Sequence, residues 1–164
     1  MRPPKILLAL TLFGSTLSNA RNEDANRALV EDFVAFLNAG EYQAMIDMFT
    51  SPDSVYWING SPARTGVSGN STVRARISGY PDFIGPFDKF SLTPTSIAAD
   101  GDVVMMEAIG RGEGPGTLLY LQTAVMTFRV VDGKLDSMKE YLDHQESQYL
   151  LSYRERYAQR FAGS

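Results

Sequence analysis

The 164-residue chain has no cysteine and a single histidine, His144. Without thiols it can form no disulfide, no thiolate nucleophile and no Cys-ligated zinc or iron–sulfur site. One histidine likewise excludes a multi-His metal centre, so neither metal nor cofactor is expected. Basic residues nowhere gather beyond a pair, and the net charge is −4. That leaves no electrostatic footprint for nucleic acid or for an anionic membrane surface. Long apolar runs are missing too: Ile6 to Gly14 is well short of the roughly 20 residues a spanning helix needs. No internal repeat is visible. What is present, 44% hydrophobic and 21% charged residues, suffices for one domain with a real core and hardly for two.

The first twenty residues read as a processing signal. Arg2 and Lys5 form a positive start, Ile6 to Gly14 an apolar stretch, and Ser18-Asn19-Ala20 a small-residue cleavage site. The expectation is a signal peptide over 1–20, a secreted or extracytoplasmic product, and no membrane contact after cleavage. An uncleaved anchor is the alternative. The single domain would then span 21–164, with its core over 26–143.

The most informative stretch runs from Thr117 to Asp143. Its first arm is rich in β-branched and large apolar residues, Asp132-Gly133 is a two-residue turn signal, and the second arm alternates. This spacing predicts a long β-hairpin. Period two puts Glu140 on the same face as Met138 and Leu142. A carboxylate on an apolar face is costly unless it is hydrogen-bonded, neutralised or used.

Upstream, Leu29, Val30, Phe33, Val34 and Leu37 give a first helix over 22–37 that closes at Gly40. A short second helix is predicted over 41–49. Ser54 to Asn59 reads as a strand, and Gly66 to Ile77 as a third helix starting at Ser68 or Asn70. Ser78 to Asp88 is dense in Gly, Pro and aromatics, a loop whose Tyr80, Phe83, Ile84 and Phe87 either tuck under the core or form a lid. Phe90 to Ala98 and Asp102 to Arg111 make a second hairpin turning at Asp100-Gly101. The segment 144–161 is a C-terminal helix with Tyr149, Tyr153, Tyr157 and Phe161 four apart, a stripe expected to pack on the domain or on a second subunit.

Three helices on one face of a curved antiparallel sheet, with an added C-terminal helix, make an α+β cone. The pieces Leu37-Asn38-Ala39-Gly40, Phe49…Asp53…Val55 and Asp132-Gly133-Lys134…Glu140-Tyr141…Asp143 resemble the nuclear-transport-factor-2-like superfamily over Asn26 to Asp143. That superfamily includes ketosteroid isomerases, limonene-type epoxide hydrolases, scytalone dehydratases and SnoaL-like polyketide cyclases. Its fold hosts many reactions and also plain binding modules. By resemblance, the three catalytic positions of the ketosteroid isomerases fall on Phe33, Ile58 and Met126, and all three groups are missing. The arginine and two aspartates of the epoxide hydrolases fall on Glu107, Ile109 and Glu140, so only the last acid survives. Scytalone dehydratases need two pocket histidines, against one here beyond the last strand.

The SnoaL-like cyclases fit best. In them an acid placed like Glu140 moves a proton on a polyketide, with a polar neighbour that falls on Gln122. The resemblance thus implies a cofactor-independent cyclase or isomerase for a small hydrophobic molecule, and a homodimer through the open sheet face. A non-catalytic exported module that holds an apolar ligand or assembles with a partner is the alternative.

Gln122 shares its strand face with Tyr120, Ala124, Met126 and Phe128. A carboxyl among such groups has its pKa raised towards neutrality, where it both takes and gives a proton. If Glu107 also faces inward, two carboxyls would split their pKa values into a base and an acid. If it faces outward, it is a surface acid. The resemblance implies that Tyr56 faces the cavity wall; a register slip of one would substitute Trp57 and Asn59, so Tyr56 and Asn59 are both carried. Tyr120, Met126, Met138 and Phe83 complete the expected apolar lining. Against the catalytic reading, Glu140 could instead be a core acid paired with Arg74 or Arg111.

Overall fold

A computed structural model describes residues 6–115 and 118–161, with side chains over 22–115 and 118–153. The expected signal segment, 1–20, therefore lies outside the residues whose side chains are described. Helix α1 (Ile6–Ala39) buries Val30, Phe33, Val34 and Leu37, the predicted stripe. It stops where Gly40 takes a positive φ of 73°, its N–H donating back to Leu37 O. Asn38 then does the work of a strand residue. Its amide donates to Leu92 O at 2.9 Å and accepts from Leu92 N at 2.7 Å, tying the helix end to the sheet.

Helix α2 (Tyr42–Asp47) buries Met45 and Ile46 and leads into strand β1 (Val55–Ile58). The predicted third helix over 66–77 is corrected. One helical turn, α3 (Pro62–Thr65), comes first, strand β2 (Gly69–Thr72) follows, and only α4 (Val73–Ile77) is helical within the predicted span. Gly69, Asn70, Ser71 and Thr72 are poor helix formers, and β1 offers them an open edge, pairing Trp57 with Asn70. The true cap is Thr72, whose Oγ1 accepts from Ala75 N at 3.1 Å. The predicted loop at 78–88 also contains one helical turn, α5 (Tyr80–Ile84), with proline near its start.

Strands β3 (Lys89–Asp100), β4 (Val103–Glu113), β5 (Leu119–Val131) and β6 (Lys134–Leu142) complete a six-stranded sheet of order β2-β1-β6-β5-β4-β3. The β5–β6 turn is Asp132-Gly133, both at positive φ, as the dipeptide predicts. The β3–β4 turn is centred one residue later than expected, on Gly101 and Asp102, because Asp100 still pairs with Val103. All neighbours are antiparallel except β1 and β6, which run parallel with Ile58 beside Glu140. Register shifts at Pro94/Ser96 and Arg129/Val130 each add a residue to one strand and bend the sheet into a cone.

The closed end is filled. Phe33 sits edge-on to Phe128 at 5.3 Å and to Phe49 at 6.2 Å, with Leu135 and Met138 fully enclosed nearby. The other end is walled by α4, α5 and α6 (His144–Phe161). Helix α6 occupies the predicted span, but its buried anchor is Leu150, against Phe87, Leu118 and Tyr120. The tyrosine stripe packs only in part: Tyr149 is exposed, while Tyr153 donates to Pro115 O at 2.8 Å. Tyr157 and Phe161 lie outside the described side chains. Among the described residues no helix is long and apolar enough to cross a membrane.

Candidate functional site

The unfilled end of the cone holds a cavity of about 290 Å³. Its apolar wall includes Leu37, Ile58, Phe83, Leu92, Ala124 and Met126. Its polar groups are few: Tyr56 from β1, Arg76 from α4, Tyr80 from α5, Tyr120 and Gln122 from β5, and Glu140 from β6, with Ser71 and Ser147. A mostly apolar pocket with a handful of convergent polar groups is the usual form of a small-molecule site.

Glu140 is 9% exposed and occupies the inward position that strand alternation gives it. Its Oε2 accepts a hydrogen bond from the Tyr56 hydroxyl at 2.5 Å. Tyr56 is itself 2.7 Å from the Tyr80 hydroxyl. A phenol has one proton to give, so with Tyr56 donating to the carboxylate, Tyr80 donates to Tyr56. The three groups form a chain, Tyr80 to Tyr56 to Glu140, that reverses direction when Glu140 holds the proton. No described residue bonds Oε1, and it is not among the buried atoms left without partners, so it opens to the cavity.

Burial raises the Glu140 pKa above the ordinary glutamate value of 4.5, against the opposing pull of the Tyr56 hydrogen bond and the Arg76 charge. Burial, and then the Glu140 charge, also raises the pKa of Tyr56, Tyr80 and Tyr120. The three phenols therefore stay protonated at neutral pH and act as donors.

Several expected residues are placed differently. Glu107 lies on the outer face beside the exposed Met105 and Ile109, because Val104, Met106 and Ala108 take the inward positions of β4. The pair of facing carboxyls does not exist. Asn59 is not a wall residue; its amide is held by the backbone of Leu142, at 3.0 and 3.3 Å. There is no register slip, since Tyr56 is buried and Trp57 turns outward onto Tyr141. Met138 belongs to the packed core and not to the cavity.

Gln122, Tyr120, Met126 and Phe83 do line the cavity, with Phe83 edge-on to Tyr120 at 5.6 Å. Gln122 is not, however, the neighbour of Glu140. Met126 pairs with Glu140, so Gln122 stands four residues farther along β5, about 13 Å of strand rise. Its amide nitrogen donates to Thr123 O at 3.0 Å, and its oxygen accepts from Tyr120 at 3.3 Å.

Neither Arg74 nor Arg111 pairs with Glu140. Arg74 is exposed, and Arg111 bonds Glu113 on the outside, holding that carboxyl below its usual value. Sequence reasoning missed the roles of Arg76 and Tyr80. The signal for Tyr80 was its place in an aromatic, proline-rich segment; Arg76 had none beyond its position near a helix end. His144 is structural: its Nε2 lies 2.7 Å from Asn59 O, in space that a side chain at Gly60 would fill.

A family model described as a SnoaL-like domain matches residues 30–138. A protein of Dictyostelium discoideum called UPF0523 protein B is 24% identical over 116 residues, covering 68% of this chain and 71% of its own. An epoxide hydrolase of the LEH-like type from M. tuberculosis superposes with a TM-score of 0.61 at 21% identity, over 83% of this chain and 95% of that one. IdmH of Streptomyces antibioticus, described as a candidate polyketide cyclase, gives 0.63 at 16% identity, over 77% and 98%. At such identities these two structures are similar in fold alone.

Proposed function

This chain belongs to the SnoaL-like domain family, and from that premise we propose that it is an acid/base enzyme of the cyclase or isomerase type acting on a small hydrophobic molecule. The observation that carries the reading is the Glu140 carboxyl, one oxygen open to an apolar cavity and the other joined to a chain of two phenols. In this scheme Glu140 takes a proton from a carbon beside a carbonyl through Oε1. The same group returns it elsewhere on the substrate, while the Tyr56 hydroxyl holds Oε2 and so orients the carboxyl. Burial raises the Glu140 pKa, so the carboxylate is a stronger base than a free glutamate and its conjugate acid can still return the proton. The Tyr120 hydroxyl, on the adjacent strand, would have to leave Gln122 Oε1 in order to donate to a substrate oxygen that gains charge.

The test is proton exchange into D2O at the carbons flanking the carbonyl of 2-tetralone, followed by NMR. The wild-type protein should accelerate exchange, and Glu140→Gln should lose about 100-fold or more of that acceleration. Equal rates for the two proteins would end the catalytic reading. The second reading, a module that only holds an apolar ligand, is favoured by apolar Ile58 and Met126 at the positions where the ketosteroid isomerases carry aspartates, with no acid besides Glu140 among the described residues of the cavity. It would show saturable binding of 2-tetralone with no acceleration.

We infer two further properties. The outer sheet face exposes Val103, Met105, Ile109, Leu119, Leu121 and Tyr141, more apolar surface than a lone domain needs to show, which supports a homodimer through that face. The composition of residues 1–20 supports export, with a mature chain beginning at Arg21; the intact mass of the exported protein tests this.

A further inference from the structure

We propose that the cavity is built for a hydrophobic molecule that carries a carboxylate, and that Arg76 is the residue that receives this group. The inference rests on the cavity being a ligand site, as argued above, and adds the charge of the ligand.

Arg76 is a part-buried cation with no ion-pair partner among the described residues, although it feels the charge of Glu140. Its Nε is buried with no hydrogen-bond partner among the described residues. Its terminal Nη2 reaches only Gly69 O, at the limiting distance of 3.5 Å. The ion pairs among the described residues are Arg27–Asp24, Arg111–Glu113 and Arg129–Asp102, all away from the cavity. Glu140 lines the same cavity but spends its Oε2 on Tyr56 and makes no ion pair with the guanidinium. The guanidinium carbon instead lies 5.6 Å from the Tyr56 ring centroid, which fixes its plane without satisfying its N–H groups.

A guanidinium taken partly out of water lacks acceptors that something must supply, and its planar fork matches a carboxylate. Among the described residues, Arg76 is the one basic residue lining the cavity, and Glu140 the one acid. The remaining surface, from Leu37, Ile58, Phe83, Leu92 and Met126, suits an apolar body. An amphiphilic anion complements both parts, whereas a neutral hydrocarbon leaves the cation unpaired.

The experiment compares 2-naphthoate with 2-naphthamide, equal in shape and different in charge, by calorimetry on the full chain. Wild-type protein should bind naphthoate about tenfold or more tighter than the amide. Arg76→Gln should bring the ratio near one, and Arg76→Lys should keep part of the preference. Should Arg76→Gln fail to fold, the wild-type ratio still decides, together with the 15N signal of Arg76 Nε, which should move with naphthoate and not with the amide. If both probes bind the wild type equally, or if Arg76→Gln keeps the preference, Arg76 is only a structural partner of Tyr56 and the inference falls while the ligand site stands. If neither binds, the inference and the ligand site fall together.

Discussion

Glu140 shows how one residue can be readable in its position and unreadable in its chemistry. Alternation along 138–142 was enough to turn it inward, and the apolar company of Met138 and Leu142 was enough to flag it. Tyr56, 84 residues away in the chain, bonds it at 2.5 Å, and Tyr80, 60 residues away, bonds Tyr56 at 2.7 Å, contacts that no spacing reveals. The same environment has a thermodynamic consequence. Because its pKa is higher folded than unfolded, Glu140 favours folding fully below the unfolded value near 4.5, and that contribution is lost as pH rises through the raised folded value. Each unit of that shift is worth about 1.4 kcal/mol. Urea unfolding of wild type and Glu140→Gln at pH 4 and pH 8 should therefore show the variant gaining relative stability at the higher pH. Tyr56→Phe, which removes a bond that lowers the Glu140 pKa, should widen the wild-type loss.

Between 60 and 90 the elements are short, and local signals were weakest there. Strand β2 was read as helix because Val73 and Ile77 do lie on a true helical face. Only the pairing of 69–72 with β1 shows that the preceding residues are strand. The aromatic segment 78–88 is likewise placed by tertiary contact. Phe87 stacks on Phe90 at 5.8 Å and leans on β4 where Gly112 has no side chain. A Cβ at Gly112 would lie 2.6 to 2.8 Å from three atoms of the Phe87 ring. Gly112→Ala should thus cost roughly 1–3 kcal/mol of stability, read as a fall in Tm, because a well-packed ring must shift. It should also loosen Phe83, which meets Phe87 edge-on at 6.3 Å at the cavity rim.

For the molecule as a whole, the outer sheet face poses the plainest question of assembly. Met105 is 52% exposed and Leu121 49%, on neighbouring strands of a face where Trp57 and Tyr141 also lie edge to face. A single charge in an isologous interface is placed twice and meets its own copy near the axis. Leu121→Lys should therefore convert a dimer to a monomer in sedimentation velocity while leaving the cavity able to bind its ligand. A wild-type protein that sediments as a monomer would remove the proposal.

The periods of 3.6 and 2, the Asp132-Gly133 turn and the Leu37–Gly40 helix end are local properties, and they determined the α+β cone, the buried stripe and end of its first helix though not its start at Ile6, its last helix and its long hairpin without reference to contacts. Strand alternation also settled which residues share a face, correctly grouping Glu107 with Met105 and Ile109. It could not tell that this face is the outer one, since both faces of β4 are apolar enough to be buried and the choice is made by what α1 packs against. The parallel pairing of β1 with β6, the Tyr80–Tyr56–Glu140 chain and the unpaired Arg76 arise from segments far apart in the chain. They exist only once closure of the sheet has brought those segments to one cavity.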